Sequence, residues 1–160
     1  STYSDGHPTV KIHHAHRTIG EQKAILVEGA SSVPFSFHNT YKDNKPAALA
    51  VDIIHRDHAW KPSLNTAHPE FWNDLGKECK AEGLIWGGDW TSFKDVAHCQ
   101  AVPSNQLSIA RAQSKHAIGD NNWNWIQYIL DLKKEHGSSC KKDGKKIPCW
   151  RDHWDKTKYA

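Results

Sequence analysis

Imidazole and carboxylate groups are where this sequence concentrates its capacity for chemistry. It holds 12 His and 18 Asp plus Glu among 160 residues. Neutral imidazole nitrogens and carboxylate oxygens are common zinc ligands, and the same groups carry protons in general acid–base catalysis. Two clusters are dense: His13, His14 and His16, and His55, Asp57 and His58. On composition alone any of these is a candidate ligand. His7, His68, His116, His136 and His153 stand in polar or helical contexts and read as surface residues. Three other segments stand out together: Ser36-Phe37-His38, Ala48-Leu49-Ala50-Val51-Asp52, and the run from Trp86-Gly87-Gly88-Asp89-Trp90 to Asp95-Val96-Ala97-His98-Cys99-Gln100.

With Arg17-Thr18 and Glu21-Gln22 upstream, this ordered set resembles the zinc peptidases that comprise D-Ala-D-Ala carboxypeptidases and L-alanyl-D-glutamate endopeptidases, including phage endolysins and bacterial wall hydrolases. That family carries Ser-x-His, a spacer, Gly-x-Ala-x-Asp and an acid three positions before a final His. Its endopeptidase branch adds a Trp-Gly-Gly-x-Trp block. The resemblance spans about residues 10–102 and is silent on 103–160. It implies His38, Asp52 and His98 as Zn2+ ligands, Asp95 as catalytic acid/base and Arg17 as a substrate contact. Ser36 would sit beside the site. Trp86 and Trp90 would line a substrate groove, with burial in the core as the alternative.

The implied chemistry is sound. Two imidazoles and one carboxylate leave a zinc ion positively charged, with an open position for water whose pKa falls towards about 7. A carboxylate three residues before a ligand can reach that water and pass its proton to a leaving amine. Arg17 offers a planar, permanently charged fork for a substrate carboxylate. Three departures from the family pattern stand out. The 13 residues between His38 and Asp52 exceed the family's spacer, which implies a loop insertion around Tyr41–Pro46. Ala48 and Cys99 stand where the family has Gly and Phe. The insertion makes Asp43 a rival to Asp52. Asp43 lies in a polar Lys-Asp-Asn-Lys run, however, whereas Asp52 lies in an apolar strand, where a charge needs a partner.

The elements that must position these residues suit one α+β domain over 1–160, with a small, largely antiparallel sheet and flanking helices, like the DD-peptidase and Hedgehog folds. Val10–Ile12, Ala48–Ile54, Leu84–Trp86 and Ala97–Val102 read as strands. Thr18 and Glu21 form a capping-box pattern and Gly29 a stop for a first helix, with Ala24, Ile25 and Val27 as its apolar contacts. Residues 30–47 read as loop. Pro69 opens a helix carrying Phe71, Trp72, Leu75 and Cys79, which Gly83 ends. Two more helices are predicted over 104–116 and 121–136, with Asp120 capping the second and Gly137 ending it. Strand alternation sends Cys99 to the face opposite His98.

Four Cys allow three pairings. Cys140 and Cys149 flank an Asp143-Gly144 turn and suit a stapled hairpin, leaving Cys79 with Cys99. No Cys-x-x-Cys pair exists for a cysteine zinc site. Disulfides and the Met-free start at Ser1 imply a processed, secreted protein. Hydrophobic residues at 38% and charged at 24% allow a packed core. No apolar run approaches the ~20 residues of a membrane span. A net charge of +3 without a basic, aromatic-interleaved stripe argues against nucleic acid. Lys141–Lys146 reads as a solvated loop. The chain is therefore expected to act as a monomer on bacterial peptidoglycan, most readily at the L-alanyl-D-glutamate bond. D-Ala-D-Ala carboxypeptidase, a non-catalytic zinc domain and a metal-dependent nuclease are the competing readings.

Overall fold

The computed structural model describes residues 9–159; His7 lies outside them. In chain order the elements are β1 (Val10–His14), α1 (Ile19–Glu28), β2 (Tyr41–Lys42), β3 (Lys45–Pro46), β4 (Ala50–His55), α2 (Ser63–Ala67), α3 (Phe71–Ala81), β5 (Ile85–Trp86), β6 (His98–Gln100), α4 (Leu107–Ile118), α5 (Asp120–His136), β7 (Cys140–Lys142) and β8 (Lys145–Ile147). Four strands form one antiparallel sheet in the order β1-β4-β6-β5. The fold is α+β, as the alternation of short strands and separated helices predicts.

Local chemistry explains most boundaries. Thr18 and Glu21 complete a capping box at the start of α1, and Gly29 ends it at φ 83°. The buried face of α1 differs from expectation. Ile19, Gln22 and Leu26 are buried, while Ala24 and Val27 are exposed and Ile25 is half-buried. The 19-22-26 stripe is a proper helical face, and apolarity alone misplaces it because its middle member is a glutamine. Asp120 does not cap α5. It is already the first helical residue, since Gly119 alone separates α4 from α5. There its charge suits the helix dipole. The short α2 was not foreseen.

The expected loop over 30–47 contains a single 3₁₀ turn, Phe37–Asn39, and the β2–β3 hairpin. The hairpin turns on Asp43 and Asn44 at φ 51° and 59°, a two-residue turn of the primed type. It packs on α4: Ser114 Oγ accepts the Tyr41 N–H at 3.0 Å, and His116 Nδ1 lies 2.9 Å from Asn44 Oδ1. The largest core cluster lies beside the sheet. Ile19 and Leu26 of α1, Phe35, Ile118, Trp125, Ile126, Ile129 and Leu132 meet Trp150, which is fully buried. Both expected disulfides form, Cys79–Cys99 and Cys140–Cys149, with Cα–Cα distances of 6.2 and 5.5 Å.

Candidate active site

The sheet register assembles the site. Asp52 on β4 is directly opposite His98 on β6 and His14 on β1, and directly opposed residues share a face. A register shift between Ile12 and His14 brings His14 into line. His38 arrives from the 3₁₀ turn. Ser36 Oγ accepts the His38 N–H at 3.3 Å, and Asn39 Oδ1 accepts the Ser36 N–H at 2.8 Å. The turn is fixed to the Arg17 segment by two bonds of 2.8 Å: Arg17 N–H to the His38 carbonyl, and Asn39 Nδ2 to the Arg17 carbonyl.

His38, Asp52 and His98 each place one ligand atom within 4.8 Å of the others. His38 Nε2 is 3.3 Å and His98 Nδ1 is 3.2 Å from Asp52 Oδ1. The outer ring nitrogens fix the tautomers. His38 Nδ1 lies 2.8 Å from the Ala15 carbonyl, which can only accept. His98 Nε2 lies 2.8 Å from Gln100 Oε1. With protons on those outer nitrogens, both inner nitrogens turn lone pairs towards a carboxylate oxygen. Such an arrangement requires a shared cation or a proton between the groups, and this donor set fits zinc.

Electrostatics separate the two carboxylates. Burial would raise the Asp52 pKa, but hydrogen bonds and charge from His38 and His98 override it and hold Asp52 well below the usual carboxylate range. Asp95 is shifted upwards, first by burial and then by the Asp52 charge. Burial lowers the His98 pKa, and its bonds to Asp52 and Gln100 reverse this to a net upward shift. The backbone holds Asp95 in place. Its N–H donates to the Gly87 carbonyl at 3.0 Å, and its own carbonyl accepts the His98 N–H at 3.2 Å. A Cβ at Gly87 would stand 2.4 Å from the Asp95 carbonyl oxygen, so only glycine permits this approach.

Arg17 is 8% exposed. Its Nη1 donates to Gln22 Oε1 at 3.0 Å, and its Nη2 lies 3.3 Å from His14 Nδ1 and 3.7 Å from Asp52 Oδ2. Gln22 is held by the Val33 carbonyl at 2.7 Å. Trp90 packs its ring 5.1 Å from His98. Trp86 is a correction to the groove expectation. It is buried with Cys79 and Cys99, and its indole N–H donates to the Val96 carbonyl at 2.8 Å. Cβ atoms at Gly76 or Gly88 would collide with its ring, so it packs as core. Cys99 does point away from His98, into the bridge to Cys79 on α3.

Asp43 is exposed in its turn and outside the ligand cluster. Asp89 pairs with Lys80 at 3.1 Å on the surface. His16 packs on Tyr41. His58 and His68 pack on His55, which packs on Phe71, outside the ligand cluster. Sequence reasoning quoted Gln22 and Gln100 within the motifs without giving either a role, and it missed Asn39. The available signals were Gln100 two positions past His98 on one strand, and Gln22 on the same helix face as Ile19.

Residues 35–101 match the family described as D-alanyl-D-alanine carboxypeptidase. The resemblance carried by the motifs is thereby borne out. The matched segment contains His38, Asp52, Asp95 and His98, and Arg17 lies before it. Among solved structures, the L-Ala D-Glu endopeptidase ChiX of Serratia marcescens aligns at 20% identity with a TM-score of 0.40. That alignment covers 58% of this chain and 66% of that chain.

Proposed function

We propose, from the premise that residues 35–101 belong to the D-alanyl-D-alanine carboxypeptidase family, that this chain is a zinc-dependent peptidase of bacterial peptidoglycan that cuts the L-alanyl-D-glutamate bond of stem peptides. The observation that carries the reading is the convergence of two imidazole nitrogens and one carboxylate within 4.8 Å of one another, with a second carboxylate of raised pKa nearby. Zinc, when bound there, supplies a polarised scissile carbonyl and an acidified water. His38, Asp52 and His98 would hold it. Asp95 takes the proton from the water and delivers it to the leaving amine; its raised pKa suits a group that must both accept and donate. Arg17 is preset by Gln22 and directs its charge towards the site, where a substrate carboxylate would dock. Trp90 forms an apolar wall beside His98. Ser36 acts through the turn that presents His38.

The Trp86-Gly87-Gly88-Asp89-Trp90 block favours the endopeptidase. The description of the matched family favours the second reading, a D-Ala-D-Ala carboxypeptidase. Asp95 argues against a non-catalytic zinc domain, because a structural site needs no free acid. The two disulfides suit action outside the cell, and among the described residues no helix is long and apolar enough to cross a membrane. The protein would work there as a monomer and as one domain. Mass spectrometry of muropeptides after digestion decides the bond. New N-terminal D-glutamyl peptides are expected. Release of D-Ala alone moves the assignment to the carboxypeptidase, and unaltered muropeptides with a zinc-loaded protein overturn the substrate class.

A further inference from the structure

We infer that Gln100 is a positioning residue that selects the nitrogen through which His98 binds the metal. The inference rests on the zinc reading above and extends it to a residue that touches neither metal nor substrate. His98 and Gln100 lie two apart on β6, so both side chains project from the same face. Gln100 is 2% exposed. Its amide nitrogen donates to the Val102 carbonyl at 2.8 Å and to Ser104 Oγ at 3.3 Å. A carbonyl can only accept, so the Val102 bond fixes the amide nitrogen on that side. The amide oxygen must then face His98 Nε2, 2.8 Å away. An oxygen there stabilises the Nε2–H tautomer and leaves Nδ1 to face Asp52. His38 is set the opposite way, its Nδ1–H on the Ala15 carbonyl and its Nε2 inward. The site thus uses one backbone and one side-chain acceptor to aim two imidazoles by different nitrogens at one point. Such outer partners typically contribute about 10–100-fold in metal affinity.

The test is zinc affinity by chelator competition, with proton–nitrogen correlation spectra of the zinc-loaded imidazoles as a second readout. In the wild type, His98 should bind through Nδ1 and show a protected Nε2–H. Gln100→Leu keeps the shape and removes the acceptor, so affinity should fall roughly 10–100-fold and the Nε2–H protection should vanish. The wild-type spectrum needs no variant, so it decides which nitrogen binds even if the Leu variant fails to fold. Wild-type affinity in Gln100→Leu, or ligation of His98 through Nε2 in the wild type, overturns the inference. A wild type that takes up no zinc overturns the metal reading itself, which is a separate result.

An independent observation concerns charge. The chain has 21 basic and 18 acidic side chains, a net of +3. Lys141, Lys142, Lys145 and Lys146 with Asp143 give the β7–β8 hairpin a formal +3, so the rest of the chain balances at zero. All four Lys are exposed, and the register sets Lys141 opposite Lys146 and Lys142 opposite Lys145. Like charges directly opposed destabilise a hairpin. The Cys140–Cys149 bridge and the Asp143-Gly144 turn, at φ 50° and 74°, hold it closed regardless. No carboxylate pairs with these Lys among the described residues. We propose that the hairpin is a preformed docking finger for a phosphate-bearing polymer of the cell wall, which rests on the wall reading. Pelleting with insoluble walls tests the finger, and cleavage of soluble muropeptides separately reports the reading. Replacing the four Lys with Gln should weaken pelleting several hundredfold, at about fivefold per Lys near an anionic surface, and leave soluble cleavage unchanged. Walls stripped of phosphate polymer should fail to retain the wild type. Undiminished pelleting of the variant, or full retention on stripped walls, overturns the proposal.

Discussion

The candidate site and the α5 region of this molecule bury opposite kinds of side chain. Around the ligand cluster, Arg17, Gln22, His38, Asn39, His98 and Gln100 are all buried and polar. Around α5, the buried residues are Trp125, Ile126, Ile129, Leu132 and Trp150. The polar side contributes less net stability, because each buried polar group must recover its lost hydration through a bond. The apolar side supplies what the site lacks. It also reaches across: Arg151 of the 3₁₀ turn after the hairpin donates to the Leu26 and Ser31 carbonyls at 2.9 and 3.1 Å, at the C-terminal end of α1. Residues 103–160, on which the family motifs are silent, thereby anchor the helix that carries Gln22 and so Arg17.

Substitutions on the two sides should therefore separate chemistry from stability. The largest effect on chemistry is expected at Asp52. Asp52→Ala removes the carboxylate both imidazoles face, so zinc content and activity should both be lost while the α5 core stays folded. Metal analysis that finds full zinc in this variant refutes the ligand assignment. Asp95→Asn should keep zinc and fold but slow wall cleavage by about 10²–10⁴-fold, the usual contribution of positioned proton transfer. Loss of zinc in that variant makes Asp95 a ligand, and retained activity assigns the proton to another group.

On the other side, Trp150→Ala should destabilise by roughly 3–5 kcal/mol, with unchanged turnover per folded molecule, read by thermal melts alongside active-site titration. A fall in turnover at full folding would break the division drawn here. Opening the Cys140–Cys149 bridge by substituting both Cys with Ser should lower stability by about 2–4 kcal/mol or less, since the loop is short, again with soluble-substrate cleavage intact.

The chemistry was more legible in the sequence than the support beneath it. His38, Asp52 and His98 could be named because the ordered set of motifs resembles a known family, and Asp52 was preferred to Asp43 because a charge in an apolar strand needs a partner. The antiparallel sheet and most helix ends followed from alternation, caps and glycines. The buried face of α1 did not follow, because Gln22 is chosen for Arg17 and not for water. Trp86 was ambiguous for the opposite reason. A large aromatic reads alike whether it lines a groove or fills a core, and only the clearance left by Gly76 and Gly88 distinguishes them. The role of 103–160 depended on contacts more than 100 residues apart, such as Lys133 Nζ to the Ser32 carbonyl at 2.9 Å, which no local pattern encodes.

The smallest expected effect discriminates most finely between the two carboxylates. In the metal-free protein Asp52 is depressed and Asp95 raised from an ordinary value of 3.8. A depressed carboxylate contributes stability that is present above its ordinary pKa and lost as pH falls through the folded one. A raised carboxylate does the reverse: its contribution is present below the ordinary value and lost as pH rises through the folded one. At pH 7 the ionised Asp95 therefore opposes folding while the ionised Asp52 favours it. Asp95→Asn should raise the melting temperature of the metal-free protein at pH 7 and lose that advantage towards pH 4. Asp52→Asn should lower it at pH 7. Melts of both variants across that range, in chelator, read the signs directly. Two carboxylates in one site pushed in opposite directions is the arrangement expected when one holds a cation and the other moves a proton. Equal signs for the two variants would leave Asp95 without its assigned role, whatever the zinc content.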